Sequence, residues 1–414
     1  MIDTIPAPLQ SEFSLEEITQ FRKETTGTSQ VIHFNNAGAG LMPDIVTKAQ
    51  LDHIILESQI GGYEAAALQQ STIRSFYHQC ALLLNCKPSN IAFTASATDS
   101  YTRALSSIPF TKGDIILTDC DDFVSNQIQF LSLQKRFGIE IMHIQNAAIG
   151  GVDLNDLKHK LYKHKPKLLA ITHIPTNSGL IQPVEEIAII YAEYKNAYPD
   201  ITWYILDACQ SAGQTKLDTQ QLQCDFLSIT CRKFLRGPRG TGALYISDRT
   251  LLAGLEPLFI DMRGAEWIEK DLYRQQPDGR RFEDWEFAYS TVTGTSAAIQ
   301  YCLNIGVERI EKQVRLLSDW MRKKLSEIDA IRILDRGPEQ GGLVTFHIHH
   351  GDPVQMVEGL HKRKINVVPS YRAFGVLDFD EKSVKWAIRA SPHYYNTVEE
   401  IELFADAVRD MTKR

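Results

Sequence analysis

Phe226-Leu227-Ser228-Ile229-Thr230-Cys231-Arg232-Lys233-Phe234-Leu235-Arg236-Gly237-Pro238-Arg239-Gly240-Thr241-Gly242 is the stretch on which the reading of this 414-residue chain turns. It opens as a buried strand, and a lysine follows closely, flanked by apolar Phe234 and Leu235. A lysine so placed is partly desolvated, which lowers its pKa and favours Schiff-base chemistry. Taken alone, it reads as a surface lysine whose stem covers apolar neighbours. The glycine-rich tail carries no G-x-x-x-x-G-K phosphate loop.

Four similar apolar runs lie upstream: Ile91-Ala92-Phe93-Thr94, Asp114-Ile115-Ile116-Leu117, Leu168-Leu169-Ala170-Ile171 and Trp203-Tyr204-Ile205-Leu206, separated by longer helical patterns. This alternation predicts a parallel sheet with helices on both faces. Ligands of such sheets sit beyond the carboxyl ends of the strands, so the polar residues that close each strand are the ones to weigh. The first run leads into Ala95-Ser96-Ala97-Thr98-Asp99, small and hydroxyl residues at a helix start, where free N–H groups can hold a phosphate; an ordinary helix cap has the same composition. The fourth run drops Asp207 straight after four apolar residues, and a buried carboxylate needs a cation or several donors; a cap would satisfy it too. Phosphate turn, aspartate and lysine at the ends of separate strands together meet the needs of one cofactor, pyridoxal phosphate: a phosphate cradle, an acid on the pyridine nitrogen and a lysine on the aldehyde.

In these residues the chain resembles the class V aminotransferases, fold type I pyridoxal-phosphate enzymes that include cysteine desulfurases, selenocysteine lyases and kynureninase. The resemblance runs from Phe34-Asn35-Asn36-Ala37-Gly38 to Arg389-Ala390-Ser391-Pro392-His393. It implies an α/β fold with a mostly parallel seven-stranded sheet, helices on both faces, and a smaller α+β C-terminal domain. It also implies roles. Lys233 matches the Schiff-base lysine; Thr230 and Arg232 match phosphate ligands, with Ala97 and Thr98 at the phosphate turn. Asp207 matches the pyridine-nitrogen partner and Gln210 the residue near the ring hydroxyl. Asn177 occupies the place of an asparagine that faces the ring, and Phe123 that of the ring-stacking residue, a histidine in desulfurases. Arg389 matches the arginine that takes the substrate carboxylate with its bidentate fork, and Asn36 lies on the substrate side. The segment Arg281-Phe282-Glu283-Asp284-Trp285-Glu286 falls where relatives reach into a neighbouring subunit, which implies a homodimer with shared sites.

The departures from that family set the expected activity. Desulfurases carry a catalytic cysteine on a loop shortly before the Arg389 motif, and this chain has no cysteine after Cys302. The corresponding stretch, Pro369-Ser370-Tyr371-Arg372-Ala373-Phe374-Gly375, offers Arg372 to a second anionic group or simply to solvent. The expected activity is therefore β-elimination at a C–S bond of a cysteine derivative. The R-K-F-L-R-G-P-R-G-T-G and F-E-x-W-E segments look most like the branch of ergothioneine-pathway C–S lyases and isopenicillin N epimerase-like proteins. An aminotransferase or epimerase is the alternative, and a non-catalytic cofactor-binding protein the third.

The remaining sequence bounds this picture. A net charge of -7 argues against a nucleic-acid or anionic-membrane partner. Seven scattered cysteines, odd in number and without a C-x-x-C pair, suit a reducing compartment, and Met1–Gln10 lacks the pattern of a targeting peptide, so a cytoplasmic location is expected. His347-Ile348-His349-His350 reads as exposed histidines at a strand end, and no metal is expected. Domains are expected at 30–296 for the cofactor and 297–414 for the small domain, which opens with one long helix from Ala297 to Leu325. Residues 1–29 form an N-terminal segment whose capping-box helix, starting at Ser14, packs back on the small domain.

Overall fold

The computed structural model describes residues 11–413; the N-terminal stretch read for a targeting peptide lies outside them. Seven strands form the central sheet: β1 (Ile91–Thr94), β2 (Ile115–Thr118), β3 (Glu140–His143), β4 (Leu168–Thr172), β5 (Trp203–Asp207), β6 (Phe226–Thr230) and β7 (Gly242–Ile246). Their spatial order is β1-β7-β6-β5-β4-β2-β3, and β7 alone runs antiparallel to its neighbours. The sheet is thus mostly parallel, as the resemblance implies. The sequence pattern did not show β3, whose residues are only partly buried, or β7, whose glycine-rich entry masks it.

Alternation along the strands builds two cores. Leu169, Ile171, Tyr204, Leu206, Leu227 and Ile229 face one side of the sheet, and Leu168, Ala170, Trp203, Ile205 and Phe226 face the other. Strands buried on both faces are apolar throughout and stop where a polar group appears. Register then aligns those polar ends: Thr172 pairs with Asp207, Asp207 with Ser228, and Thr230 with Gly242. Gly242 lets β7 come close to the helix Ala97–Ser107, because a Cβ there would lie 2.7 Å from the Ser96 backbone.

A second sheet, β8 (Ile331–Ile333), β9 (Val344–Ile348), β10 (Val368–Tyr371) and β11 (Trp386–Ala390), is antiparallel in the order β8-β9-β11-β10. The single helix expected from Ala297 to Leu325 is instead two, Tyr289–Ile305 and Val307–Ser326, broken at Gly306 with φ of 95°. The boundary drawn at 296/297 falls inside the first of these, which packs on the helices Asp44–Ile60 and Gln70–Leu84. Near the N-terminus, the helix Leu15–Lys23 carries the capping box of Ser14 and Glu17. Its Arg22 pairs with Glu400 at 2.8 Å, and Phe13 and Phe21 pack on Tyr394.

Between β6 and β7 the chain turns tightly, and this turn is held from several directions. The Gly40 N–H donates to Arg232 O at 2.8 Å, His393 Nε2 donates to Phe234 O at 2.8 Å, and the Arg236 N–H closes back on Lys233 O at 2.9 Å. The buried Arg236 guanidinium donates to Leu41 O, Thr25 Oγ1 and the Tyr394 hydroxyl, and stacks 4.5 Å from the Tyr395 ring. Gly213, at φ of 89°, lies so close that a Cβ would sit 2.5 Å from the Phe234 backbone carbon. Neither that conformation nor that backbone contact admits a side chain. Gly213→Ala is therefore expected to destabilise the fold by roughly 2 kcal/mol or more, read as a lower urea midpoint; an unchanged midpoint would show that the turn yields.

Candidate active site

One cavity lies at the carboxyl ends of β1, β4, β5 and β6. Ala97, Thr98, Phe123, Asp207, Gln210, Thr230, Arg232 and Lys233 all line it, as do Asn126, Thr172, Thr176 and Cys209, which the sequence reading did not single out. Eight of the nine residues expected around the cofactor therefore come together.

Lys233 is 7% exposed. Burial pulls its ammonium pKa down to about 8 against the opposing pull of Cys209 and Asp207, and Arg232 and Arg389 push in the same direction as burial. Its Nζ lies 6.0 Å from the centre of the Phe123 ring. Asp207 is held by two donors, the Cys209 N–H on Oδ1 at 2.9 Å and Asn126 Nδ2 on Oδ2 at 3.1 Å. Arg232 donates to Gly38 O, and burial together with Arg239 lowers its pKa. The helix Ala97–Ser107 points its first turn at the same place: Ser96 Oγ takes the Asp99 N–H, while the Ala97 and Thr98 N–H groups start the helix with no carbonyl behind them.

Arg389 reaches the cavity rim from β11, where Nη1 donates to Thr176 O at 3.1 Å. Its Nε has no hydrogen-bond partner among the described residues, and neither does Gln210 Oε1. Burial lowers the Arg389 pKa to about 10, with Arg232 adding to the effect. Unpartnered polar atoms at a cavity are ones that a polar ligand would satisfy.

Three expected contacts are placed elsewhere. Asn177 turns its amide out of the cavity: Nδ2 donates to Phe374 O at 2.8 Å and Oδ1 accepts from Ser370 Oγ at 2.5 Å. Its neighbour Thr176 lines the cavity instead and accepts from Gln210 Nε2 at 3.4 Å. Asn36 has a fully committed amide, with donations to Ser391 O and His33 O and acceptance from the Tyr395 hydroxyl, so it ties His33 to the end of β11 and is not free for substrate. Arg372 points to solvent, where both its Nε and Nη2 engage Asp380. Of the segment 281–286, Arg281, Phe282 and Glu283 are buried in their own chain and only Asp284, Trp285 and Glu286 are exposed. Glu283 is spent on Tyr77, the Phe93 N–H and Arg263. No group of three metal-ligating side chains occurs among the described residues.

This donor set fits pyridoxal phosphate. A helix N-terminus with Thr98, Thr230 and Arg232 suits a dianionic phosphate. Asp207 offers a fixed carboxylate to a ring nitrogen, the Phe123 ring offers a face for an aromatic ring, and Lys233 offers an amine for an aldehyde.

Known proteins match this chain along nearly its whole length. The family model for aminotransferase class-V covers residues 31–404. A probable cysteine desulfurase from Pyrococcus abyssi is 28% identical over 95% of this chain and 97% of its own. One from Methanothermobacter thermautotrophicus is 25% identical over 85% and 86%. Among solved structures, an apo cysteine desulfurase from Thermococcus onnurineus superposes with a TM-score of 0.86 at 25% identity, covering 98% of this chain and 100% of that one. A cystine C–S lyase in complex with its product cysteine persulfide shares the fold at a TM-score of 0.82 and 24% identity, covering 93% and 99%.

The buried amine gives a stability signature. Its folded pKa, about 8, lies below the unfolded value of 10.5, so between those values the unfolded chain binds the extra proton and stability rises with pH. Buried tyrosines and cysteines act in the opposite sense, so the measurement is the difference between wild type and Lys233→Met, both free of cofactor, in urea unfolding. Wild type is expected to gain roughly 1–3 kcal/mol on the variant across that window; a flat difference would place the amine in water.

Proposed function

The chain belongs to the class V aminotransferase family and is a pyridoxal-phosphate enzyme, and from that premise we propose that it cleaves a C–S bond by β-elimination on a cysteine-type amino acid. One observation carries this reading: the lysine, aspartate and arginine of the site are all in place, while no thiol stands on the loop 369–375 that abuts its Thr176–Asn177 corner. The cavity's own cysteine, Cys209, is buried at the carboxyl end of β5, where desolvation and Asp207 hold its thiol protonated, which makes it a poor acceptor of sulfur.

When bound, pyridoxal phosphate supplies an electron sink for negative charge at the substrate Cα. The chain's residues do the rest. Ala97, Thr98, Thr230 and Arg232 would hold the phosphate, and Asp207 would hold a proton on the ring nitrogen. Arg389 binds the substrate carboxylate and so orients the Cα–H bond. Lys233, poised near neutral by burial, takes the Cα proton at Nζ. With a sulfur leaving group on Cβ, loss of that proton is followed by loss of the sulfur, and addition of water releases pyruvate and ammonia. Phe123 carries no proton to give, so the sulfur departs as a thiolate or persulfide anion or takes the proton that Lys233 then holds.

A homodimer is part of the proposal. Ile45, Ile54 and Ile55 on the helix Asp44–Ile60 are exposed, as are Phe259 (85%), Met262 and Trp267 (79%), and these are the apolar side chains the chain offers to a second copy. No helix among the described residues is long and apolar enough to cross a membrane. The small domain is proposed to begin at Gly306, where the helices divide, and a cytoplasmic location remains part of the reading.

Cystine and S-substituted cysteines should yield pyruvate with no keto-acid added, and Arg389→Ala should raise KM by about tenfold or more with the cofactor spectrum unchanged. Accumulation of pyridoxamine phosphate without pyruvate would instead make the enzyme an aminotransferase, and inversion at Cα an epimerase. Sedimentation should give about twice 46.8 kDa, falling to the monomer value in Ile54→Asp; a wild-type monomer would remove the dimer.

A further inference from the structure

Behind the Asp207 carboxylate stands a second buried one, and a single amide joins them. Asn126 Nδ2 donates to Asp207 Oδ2 at 3.1 Å and to Asp122 Oδ1 at 2.8 Å. Asn126 is 3% exposed, sits in the first turn of the helix Val124–Phe137, and lines the cavity. Its orientation is not free. A flipped amide would put its carbonyl oxygen between two carboxylates, so the pair of acids selects the donor end.

Asp122 is in turn fixed tightly. Thr172 Oγ1 donates to it at 2.6 Å, the Phe123 N–H at 2.6 Å and Gln127 Nε2 at 2.8 Å. With Asn126, every one of these neighbours brings a donor, the surroundings of an ionised carboxylate. Burial works against that state and lifts its pKa to about 6, with Asp207 adding repulsion. Asp119 stands beside it, accepting the Thr172 N–H at 2.8 Å and the Asp121 N–H at 2.9 Å. The charged and titratable groups facing this cluster are Asp207, Asp119, Asp121, the buried Tyr101, Cys209 and Lys233.

We propose that Asn126, held by Asp122, is a positioning residue for Asp207: it sets the carboxylate's direction, so that the ring nitrogen of bound pyridoxal phosphate meets a correctly aimed oxygen. This rests on the role assigned to Asp207 under the proposed function. The triad has the logic of an oriented acid–base pair. A distant carboxylate fixes an amide, the amide fixes the working carboxylate, and the neutral amide separates two charges that would otherwise repel at close range. A purely structural Asn126 would change stability alone, since Asp122 also anchors the start of its helix.

The test uses full-length holoprotein with Asn126→Leu, Asp122→Asn, Asp122→Glu and Asp207→Asn, and reads pyridoxal-phosphate affinity by equilibrium dialysis, the visible cofactor band against pH, and the thermal midpoint. Asn126→Leu is expected to bind the cofactor about tenfold more weakly or worse and to move the pH midpoint of the band by about one unit. Asp122→Asn, nearly isosteric and so expected to fold, should move the midpoint in the same sense by less, and Asp122→Glu should restore much of it. A midpoint and an affinity unchanged in both Asn126→Leu and Asp122→Asn overturn the proposal, even if stability falls. An unaltered band in Asp207→Asn overturns the reading of Asp207 itself, a different failure from the first.

Discussion

The site depends on one expensive placement, an amine taken out of water. Lys233 is buried at the end of an apolar strand, and the loss of hydration outweighs the attraction of Asp207, so its pKa falls toward neutral. Such a residue is kept in place only if the backbone beneath it cannot relax. That is why the turn carrying it is pinned by Gly40, His393 and Arg236 and pressed against Gly213. The buried Arg236 links this turn to Thr25 and Leu41 near the N-terminus and to Tyr394 after β11. Remote parts of the chain thereby share in holding one side chain.

Like charges crowd at the cavity. Arg232 depresses the proton affinity of Arg389, and both depress that of Lys233, while Asp207 presses on Asp122 and Asp122 on Asp119. Each set is strained alone and relieved by a complementary ligand. A phosphate and a substrate carboxylate answer the arginines, and a protonated ring nitrogen answers Asp207. That field favours a zwitterionic substrate and an anionic, nitrogen-bearing cofactor. Fixed dipoles and charges aimed at the reacting atoms need no rearrangement when charge develops.

Much of this was legible in the sequence because parallel strands announce their ends. Thr94, Asp207 and Thr230 each close an apolar run, and the register that brings such ends together follows from the fold class. What stayed hidden came from contacts that cross long stretches of chain. Asn177 and Thr176 are adjacent, and only the packing of Ser370 and Phe374 decides which of the two turns inward. Asn36 looks available until Ser391, more than 350 residues away, takes its amide. Arg372 looks like a ligand until Asp380, eight residues on, claims it. The pair Asp122 and Asn126, four residues apart across a helix start, is a signal of local kind, since that spacing lets a carboxylate orient an amide. The helix break at Gly306 was passed over because the apolar period continues across it.

Everything turns on which amine meets the cofactor. Reducing the pyridoxal-phosphate-loaded protein with borohydride, digesting it and sequencing the labelled peptide by mass spectrometry answers this directly. The phosphopyridoxyl group is expected on Lys233, within the Cys231–Arg236 stretch and on no other lysine. A label on a different lysine, or none at all, would contradict the account.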